Sequence, residues 1–309
     1  MITLALQEKK LKSGFITILG KPNAGKSTLL NTLVGQKVSI VSWRPQTTRN
    51  KITGIMNGEY KGEPVQAIFI DTPGIYQGKS LLSKYMEDSI NTAAVGVDII
   101  IYVLDGEKRI HTDDLSNIEK YKKSAAKTIV VVNKMDLAPR DMMVQNLTEL
   151  NSVEGIAVIP ISAVKNDNIN ILVEEVFKDL KDGEQFYPED MITDKPLRFM
   201  TAEIIREKAL IFLQEEIPHG IGVEILNYSV REDGLTSVEC DVICERDTHK
   251  AIIIGKGGEM LKRISTAARK EMEKLIGDRV YLKLWVKVKP NWKDNNSLLI
   301  NLGYNLKDL

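Results

Sequence analysis

Residues 15–33 read Phe15-Ile-Thr-Ile-Leu19-Gly20-Lys21-Pro22-Asn23-Ala24-Gly25-Lys26-Ser27-Thr28-Leu-Leu-Asn-Thr-Leu33. An apolar, β-branched run ends in G-x-x-x-x-G-K-S, and a helix-forming stretch comes next. Strand, glycine loop and helix in that order make a phosphate cradle. The glycines let backbone N–H groups turn inward around phosphate oxygens, and the helix N-terminus adds positive potential. Lys26 is then placed to reach β and γ phosphates, and Ser27 to present its hydroxyl to Mg²⁺.

Four similar runs succeed Phe15–Leu19: Ala67–Ile70, Ile99–Leu104, Thr128–Val132 and Ala157–Ile161. Each is separated from the next by enough chain for a helix. Continuous rather than alternating hydrophobicity is what a parallel strand buried on both faces requires. The expected fold of this part is α/β, a doubly wound sheet whose ligands sit beyond the carboxyl ends of the strands.

The residues at the carboxyl end of each run are therefore the candidates for ligand binding. The second run ends in Asp71-Thr72-Pro73-Gly74, 45 residues after Lys26. A strand-end carboxylate can hold Mg²⁺, and Gly74 can offer a bare N–H to a γ-phosphate. The fourth ends in Asn133-Lys134-Met135-Asp136. Guanine presents N1–H and N2–H₂ side by side as donors, and a carboxylate on Asp136 accepts both; adenine, with an acceptor at N1, would leave the acid unpaired. Asn133 either binds the purine O6/N7 edge or holds the loops together, and the stem of Lys134 can cover the ring. Ser162-Ala163, after the fifth run, supplies a backbone N–H for guanine O6. Between the cradle and Asp71, the polar segment Trp43-Arg-Pro-Gln-Thr47-Thr48-Arg49 offers a loop threonine to the metal while a γ-phosphate is present. Spacing alone does not choose between Thr47 and Thr48.

These elements resemble the translation-factor-related GTPases. The wording Gly20-Lys-Pro-Asn23-Ala-Gly-Lys-Ser27, Gln46-Thr-Thr48-Arg49, Asp71-Thr-Pro-Gly74-Ile75 and Asn133-Lys-Met-Asp136 is similar to their Era branch. The resemblance implies a GTPase in which residues 20–28, 71–74 and 133–136 and Ser162-Ala163 bind GTP or GDP. It places Mg²⁺ on Ser27, Thr48 and Asp71, and catalysis on Lys26, Thr48, Gly74 and Asn23. It makes Thr48 the switch residue. Ile75 stands where Ras-type enzymes carry a water-orienting Gln. In related GTPases with a hydrophobic residue there, an Asn at the position of Asn23 helps hold K⁺, which adds positive charge to the transition state.

Between Leu180 and Arg198 the chain is polar, with two prolines and no periodicity, as expected of a linker. Beyond it the order reads helix (about Phe199–Leu213), alternating runs at Gly222–Val230 and Thr236–Cys244, helix, Gly255-Lys256-Gly257-Gly258, a long amphipathic helix to about Ile276, and a strand at Val280–Lys289. A G-x-x-G turn between helices lets a sugar-phosphate backbone approach where a Cβ would obstruct it. This resembles a KH domain of the bacterial type II order, an α+β fold. It implies RNA binding through Gly255–Gly258, with Lys256, Lys262 and Arg263 on phosphates and Ile253, Ile254 and Leu261 beneath the bases. The expected organisation is a GTPase domain at 1–182, a linker at 183–198, a KH domain at 199–290 and a C-terminal helix at 291–309 that docks through Leu298, Leu299 and Leu302.

The 309 residues carry 42 Lys+Arg and 42 Asp+Glu, with 43% hydrophobic and 27% charged side chains. Zero net charge argues against a uniformly basic polyanion binder, but it conceals a segregation. Residues 1–198 hold 25 basic and 25 acidic side chains, residues 199–249 hold 4 and 11, and residues 250–290 hold 11 and 4. The basic stretch contains the G-x-x-G turn, and the acidic one is expected to face away from RNA. No run approaches the ~18 apolar residues of a membrane span. Met1–Leu6 precedes its lysines, the reverse of a secretory signal, so the cytoplasm is expected. Cys240 and Cys244, about 13 Å apart on one strand, are expected as reduced thiols, and His111, His219 and His249 as structural.

Taken over the whole chain, the Era resemblance implies binding to the 3′ end of small-subunit ribosomal RNA and a role in assembling the 30S subunit. It also implies a monomer and leaves room for peripheral association with the inner face of the cell membrane. The alternative is a signalling GTPase whose small domain binds protein or membrane. One cradle excludes a double-GTPase relative.

Overall fold

The computed structural model describes residues 10–75, 78–305 and 307; the Met1–Leu6 stretch lies outside them. The chain divides into two compact units, the first made of 1–39, 51–75 and 90–194, the second of 40–50, 76–89 and 195–309.

The first unit is built on seven strands: β1 Lys12–Gly20, β2 Ile52–Tyr60, β3 Glu63–Asp71, β4 Ile99–Asp105, β5 Lys127–Asn133, β6 Ala157–Pro160 and β7 Lys181–Asp182. Their order is β2-β3-β1-β4-β5-β6, with β7 pairing β1. All five anticipated runs are strands, and they run parallel to one another. The register sets Ile18 against Asp71, Gly20 against Val103 and Asp105 against Asn133, so the ends of β1, β3 and β5 bring the cradle, Asp71 and Asn133 to one edge. Helices α1 Lys26–Val34, α3 Thr112–Lys122, α4 Arg140–Asn151 and α5 Ile169–Asp179 connect the strands. Ile99, Ile100, Ile101 and Tyr102 are completely buried, as a central strand covered on both faces must be.

The run at 183–194, expected as a linker, is fastened to this unit. Gln66, buried, accepts the amides of Phe186 and Tyr187 and donates to the Tyr187 carbonyl. The Ile55 amide bonds the Ile192 carbonyl, Thr53 bonds Asp194, and Phe186 packs edge-on to Phe15 at 4.8 Å. Polarity here means backbone hydrogen bonding along β2 rather than free solvation.

The second unit carries a three-stranded sheet of β8 Gly222–Val230, β9 Thr236–Cys244 and β10 Val280–Val288, in the order β10-β9-β8. Helices α6 Leu197–Phe212, α7 Asp247–Ile254 and α8 Glu259–Ile276 cover one face, closing a core around Val238, Cys240, Val242, Ile253, Ile264 and Met272. Both cysteines are free and buried. The segments 40–50 and 76–89, expected in the GTPase domain, pack here instead. Leu82, Tyr85 and Met86 of helix α2, Leu81–Ala93, share a cluster with Ile243, Trp292, Leu299 and Tyr304. The C-terminal helix is shorter than expected, α9 Asn296–Asn301; Leu299 is buried in this cluster, and Leu298 and Leu302 pack against it.

Buried charge explains why 40–50 belongs to this unit. Arg49 is fully buried, donates to the carbonyls of Ile221 at 2.7 Å and His219 at 3.2 Å, and lies 5.8 Å over the Trp292 ring. Arg206 is held by Glu203 and donates to the Thr47 carbonyl, while Glu207 accepts the Val41 amide at 2.9 Å. A buried guanidinium stranded by loss of these acceptors would be costly, so the segment is tied down by the need to satisfy two arginines.

Candidate nucleotide and RNA sites

In the first unit the cradle residues converge as the sequence suggested. Gly25 has φ +92°, and a Cβ there would lie 2.2 Å from Asn133 Nδ2; only glycine fits. Lys26 is buried and donates from Nζ to the carbonyls of Gly20 at 3.0 Å and Lys21 at 3.1 Å. Burial lowers its pKa to about 8 despite the nearby Asp71, so an arriving phosphate supplies the counter-charge this ammonium lacks.

Asp71 is fully buried, which pushes its carboxyl pKa up against the opposing pull of Lys26, Ser27 and Ser39. Its Oδ2 accepts from Ser27 Oγ at 2.6 Å and Ser39 Oγ at 3.0 Å. Its Oδ1 has no partner among the described residues. An orphaned carboxylate oxygen beside a serine hydroxyl is a hard-oxygen donor set, which fits Mg²⁺. Ser39 has no motif around it, and nothing in the sequence singled it out.

The alternatives left open for Asn133 resolve into loop-holding contacts. Its Nδ2 donates to the Ala24 carbonyl at 2.9 Å and its Oδ1 accepts the Ala163 amide at 3.0 Å. The amide thus ties the cradle to the Ser162-Ala163 loop. Ser162 Oγ donates to Asp136 Oδ1 at 2.6 Å, fixing the orientation of that carboxylate. Burial lowers the pKa of Lys134, but the Asp105 and Glu107 carboxylates that grip it, at 2.9 and 3.0 Å, leave it raised overall. Lys134 therefore stays a cation. Thr72 Oγ1 anchors the Asp71–Gly74 turn on the Ile18 carbonyl.

Thr48 falls in a different unit from Ser27 and Asp71. It is buried within segment 40–50, which belongs to the second unit, and so is Thr47, bonded to Ser42 and the Arg44 carbonyl.

In the second unit, Gly255 ends α7 with its amide on the Ala251 carbonyl at 2.9 Å. With φ +73° and Met260 backbone nitrogen 2.9 Å from an added Cβ, it admits no side chain. Lys256, Lys262 and Arg263 are exposed. Lys256 and Lys262 have no ion-pair partner among the described residues, and Arg263 lies 4.3 Å over the Phe212 ring. Ile254 and Leu261 are half-buried, whereas Ile253 is a core residue with zero exposure. Ile253 therefore packs in the core rather than on the surface expected beneath the bases. Ile252 is 49% exposed, and a run of three isoleucines could not tell which one faces out. Between the acidic and basic stretches, Glu224 pairs with Lys289 at 2.8 Å.

Comparison with known proteins agrees with this geometry. Residues 15–134 match the family model described as 50S ribosome-binding GTPase, and residues 216–293 match a KH domain. The GTPase Era of Clostridium botulinum strain Hall is 47% identical over 294 residues, covering 95% of this chain and 98% of that one. The GTPase Era of Ruminiclostridium cellulolyticum is 42% identical, with 95% and 97% covered. Among solved structures, an Aquifex aeolicus Era variant bound to GDP and AlF₄⁻ superposes with a TM-score of 0.89 at 38% identity, covering 95% of this chain and 99% of that one. Era in complex with MgGDPNP and nucleotides 1506–1542 of 16S ribosomal RNA also gives 0.89 and 38%, with 96% and 99% covered. Among the described residues no helix is long and apolar enough to cross a membrane.

Proposed function

The chain belongs to the Era family of GTPases, and from that premise we propose that it is a GTP-driven switch that grips the single-stranded 3′ end of small-subunit ribosomal RNA during assembly of the 30S subunit. The observation that carries this reading is the union, in one chain, of a phosphate cradle with a Gly255–Gly258 loop flanked by exposed cations. The solved Era complex with a 16S ribosomal RNA fragment, at 38% identity over nearly the whole chain, supports the RNA assignment.

In this reading Lys26 meets the β and γ phosphates, Asp136 reads guanine, and Gly74 offers its amide to the γ-phosphate. Ser27 and Asp71 hold Mg²⁺, which when bound neutralises charge on the phosphate oxygens. The family resemblance assigns Thr48 to the same ion. Lys256, Lys262 and Arg263 hold phosphates of the RNA.

Two experiments test the assignment. The protein should cosediment with small ribosomal subunits in a nucleotide-dependent and salt-sensitive way; a signalling GTPase would stay in the supernatant, and that outcome rejects the ribosomal role. With Ile75 in place of a water-orienting Gln, we assign Asn23, which the structure holds at φ +64° in the cradle, to a K⁺ ion that aids hydrolysis. GTP turnover should then be severalfold faster in KCl than in NaCl at equal ionic strength, because the added charge acts on the transition state. Equal rates reject the ion.

A further inference from the structure

The second unit contains a cavity of about 420 Å³ that neither the cradle nor the G-x-x-G loop explains. Its wall draws on four separated parts of the chain: Pro45 and Gln46, then Gly78–Ser80 with Leu82 and Ser83, then His219, then Lys293. The first turn of α2 opens into it through Ser80, Leu82 and Ser83. That turn presents the positive end of a 13-residue helix. Its Ser80 and Ser83 hydroxyls lie 2.9 Å apart, a pair that can both accept and donate.

Positive charge outweighs negative around the cavity. Lys79 and Lys293 line it, and Arg44 and Arg49 lie close enough to act on His219. Against them stand two acids, Glu245, which pairs with Lys293 at 3.0 Å, and Asp294, which accepts the Leu81 amide at 3.0 Å. The pKa of His219 reports the resulting field: burial lowers it first, and Arg49, Arg44 and Lys293 lower it further. A roomy cavity with surplus cations, hydroxyl donors and a helix N-terminus is matched to a multiply charged oxyanion.

We propose that this cavity is a phosphate-binding site, made by Lys79, Lys293, His219, Gln46 and the first turn of α2. Its ligand is a phosphate group, carried either by a small phosphorylated molecule or by the backbone of a bound RNA strand. The site has a regulatory consequence, because Gln46 comes from segment 40–50 and Ser80 and Ser83 from segment 76–89. A phosphate seated here would hold both segments to the second unit and stabilise the form in which Arg206 bonds the Thr47 carbonyl.

The test uses the full-length protein saturated with GDP, so that the cradle is filled before the probe is added. Inorganic phosphate is titrated in at constant ionic strength while the ring protons of the three histidines are followed by NMR. The titration midpoint of His219 should move upward, since an added anion offsets the cations that depress it. The double variant Lys79→Gln/Lys293→Gln should weaken the response about tenfold or more. A second arm measures the salt dependence of affinity for a single-stranded RNA. If the phosphate belongs to RNA, the log–log slope falls in the double variant by about 0.7 for each phosphate no longer neutralised. If it belongs to a small molecule, the slope is unchanged and only the inorganic phosphate response disappears. A His219 midpoint indifferent to phosphate together with an unchanged slope overturns the proposal, and the wild-type titration decides this even if the variant folds poorly. None of these outcomes depends on the ribosomal assignment, which the cosedimentation experiment tests separately.

Discussion

Asp136→Asn will bind GTP about 10⁴-fold more weakly than the parent chain and will accept xanthosine triphosphate instead. Guanine offers two adjacent donors, N1–H and N2–H₂, and a carboxylate accepts both. An asparagine amide keeps one acceptor but turns a second donor toward the base, where it meets N2–H₂ donor to donor. Xanthine carries a carbonyl at that position and restores the pair. The substitution is mild for the fold, because Asp136 is exposed and the Ser162 hydroxyl that now donates to its Oδ1 at 2.6 Å can donate equally to the asparagine oxygen. The Met135 amide on the Ile161 carbonyl, at 3.1 Å, holds the turn independently. Equilibrium binding of fluorescent GTP and XTP analogues measures the exchange. An unaltered preference for GTP would remove Asp136 from the base site.

The second large effect is on RNA. Replacing both Lys256→Asp and Gly257→Asp should lower affinity for single-stranded RNA by about two orders of magnitude or more at physiological salt, because a phosphate-binding cation gives way to a double negative charge at the turn. GTP affinity should not change. The fold should tolerate both changes, since Lys256 is exposed and nothing lies within 4 Å of a Cβ added at Gly257. Gly257 has φ +60°, a left-handed conformation that Asp adopts at modest cost. The packing of α7 on α8 rests on Ile253 and Ile264, both fully buried, and not on the turn. RNA binding by fluorescence anisotropy, with thermal melting as the folding control, measures the effect. Unchanged RNA affinity in a folded variant would refute the groove.

Some of this architecture was legible residue by residue. Strands β1, β3, β4, β5 and β6 announce themselves because burial on both faces requires an unbroken apolar run. Strand β2 does not, since an antiparallel edge strand exposed at Asn57, Gly58 and Glu59 carries no such run and includes two glycines. The polar run at 183–194 has the composition of a spacer because its binding to the first unit is through backbone groups and Gln66, which hydropathy does not register.

By itself the sequence determined the chemistry that short contiguous motifs encode: a phosphate cradle, a carboxylate for guanine, and a glycine turn in a basic stretch. It could do so because each of those tasks needs particular residue types at fixed local spacing. Only the tertiary structure decided that Asn133 ties two loops, that Ser39 shares Asp71, that Ile252 rather than Ile253 faces outward, and that segment 40–50 belongs with the second unit. These depend on burial and pairing between residues far apart in the chain, as where Arg49 meets Tyr304 across 255 positions. Local periodicity carries no record of which distant carbonyl will satisfy a buried charge.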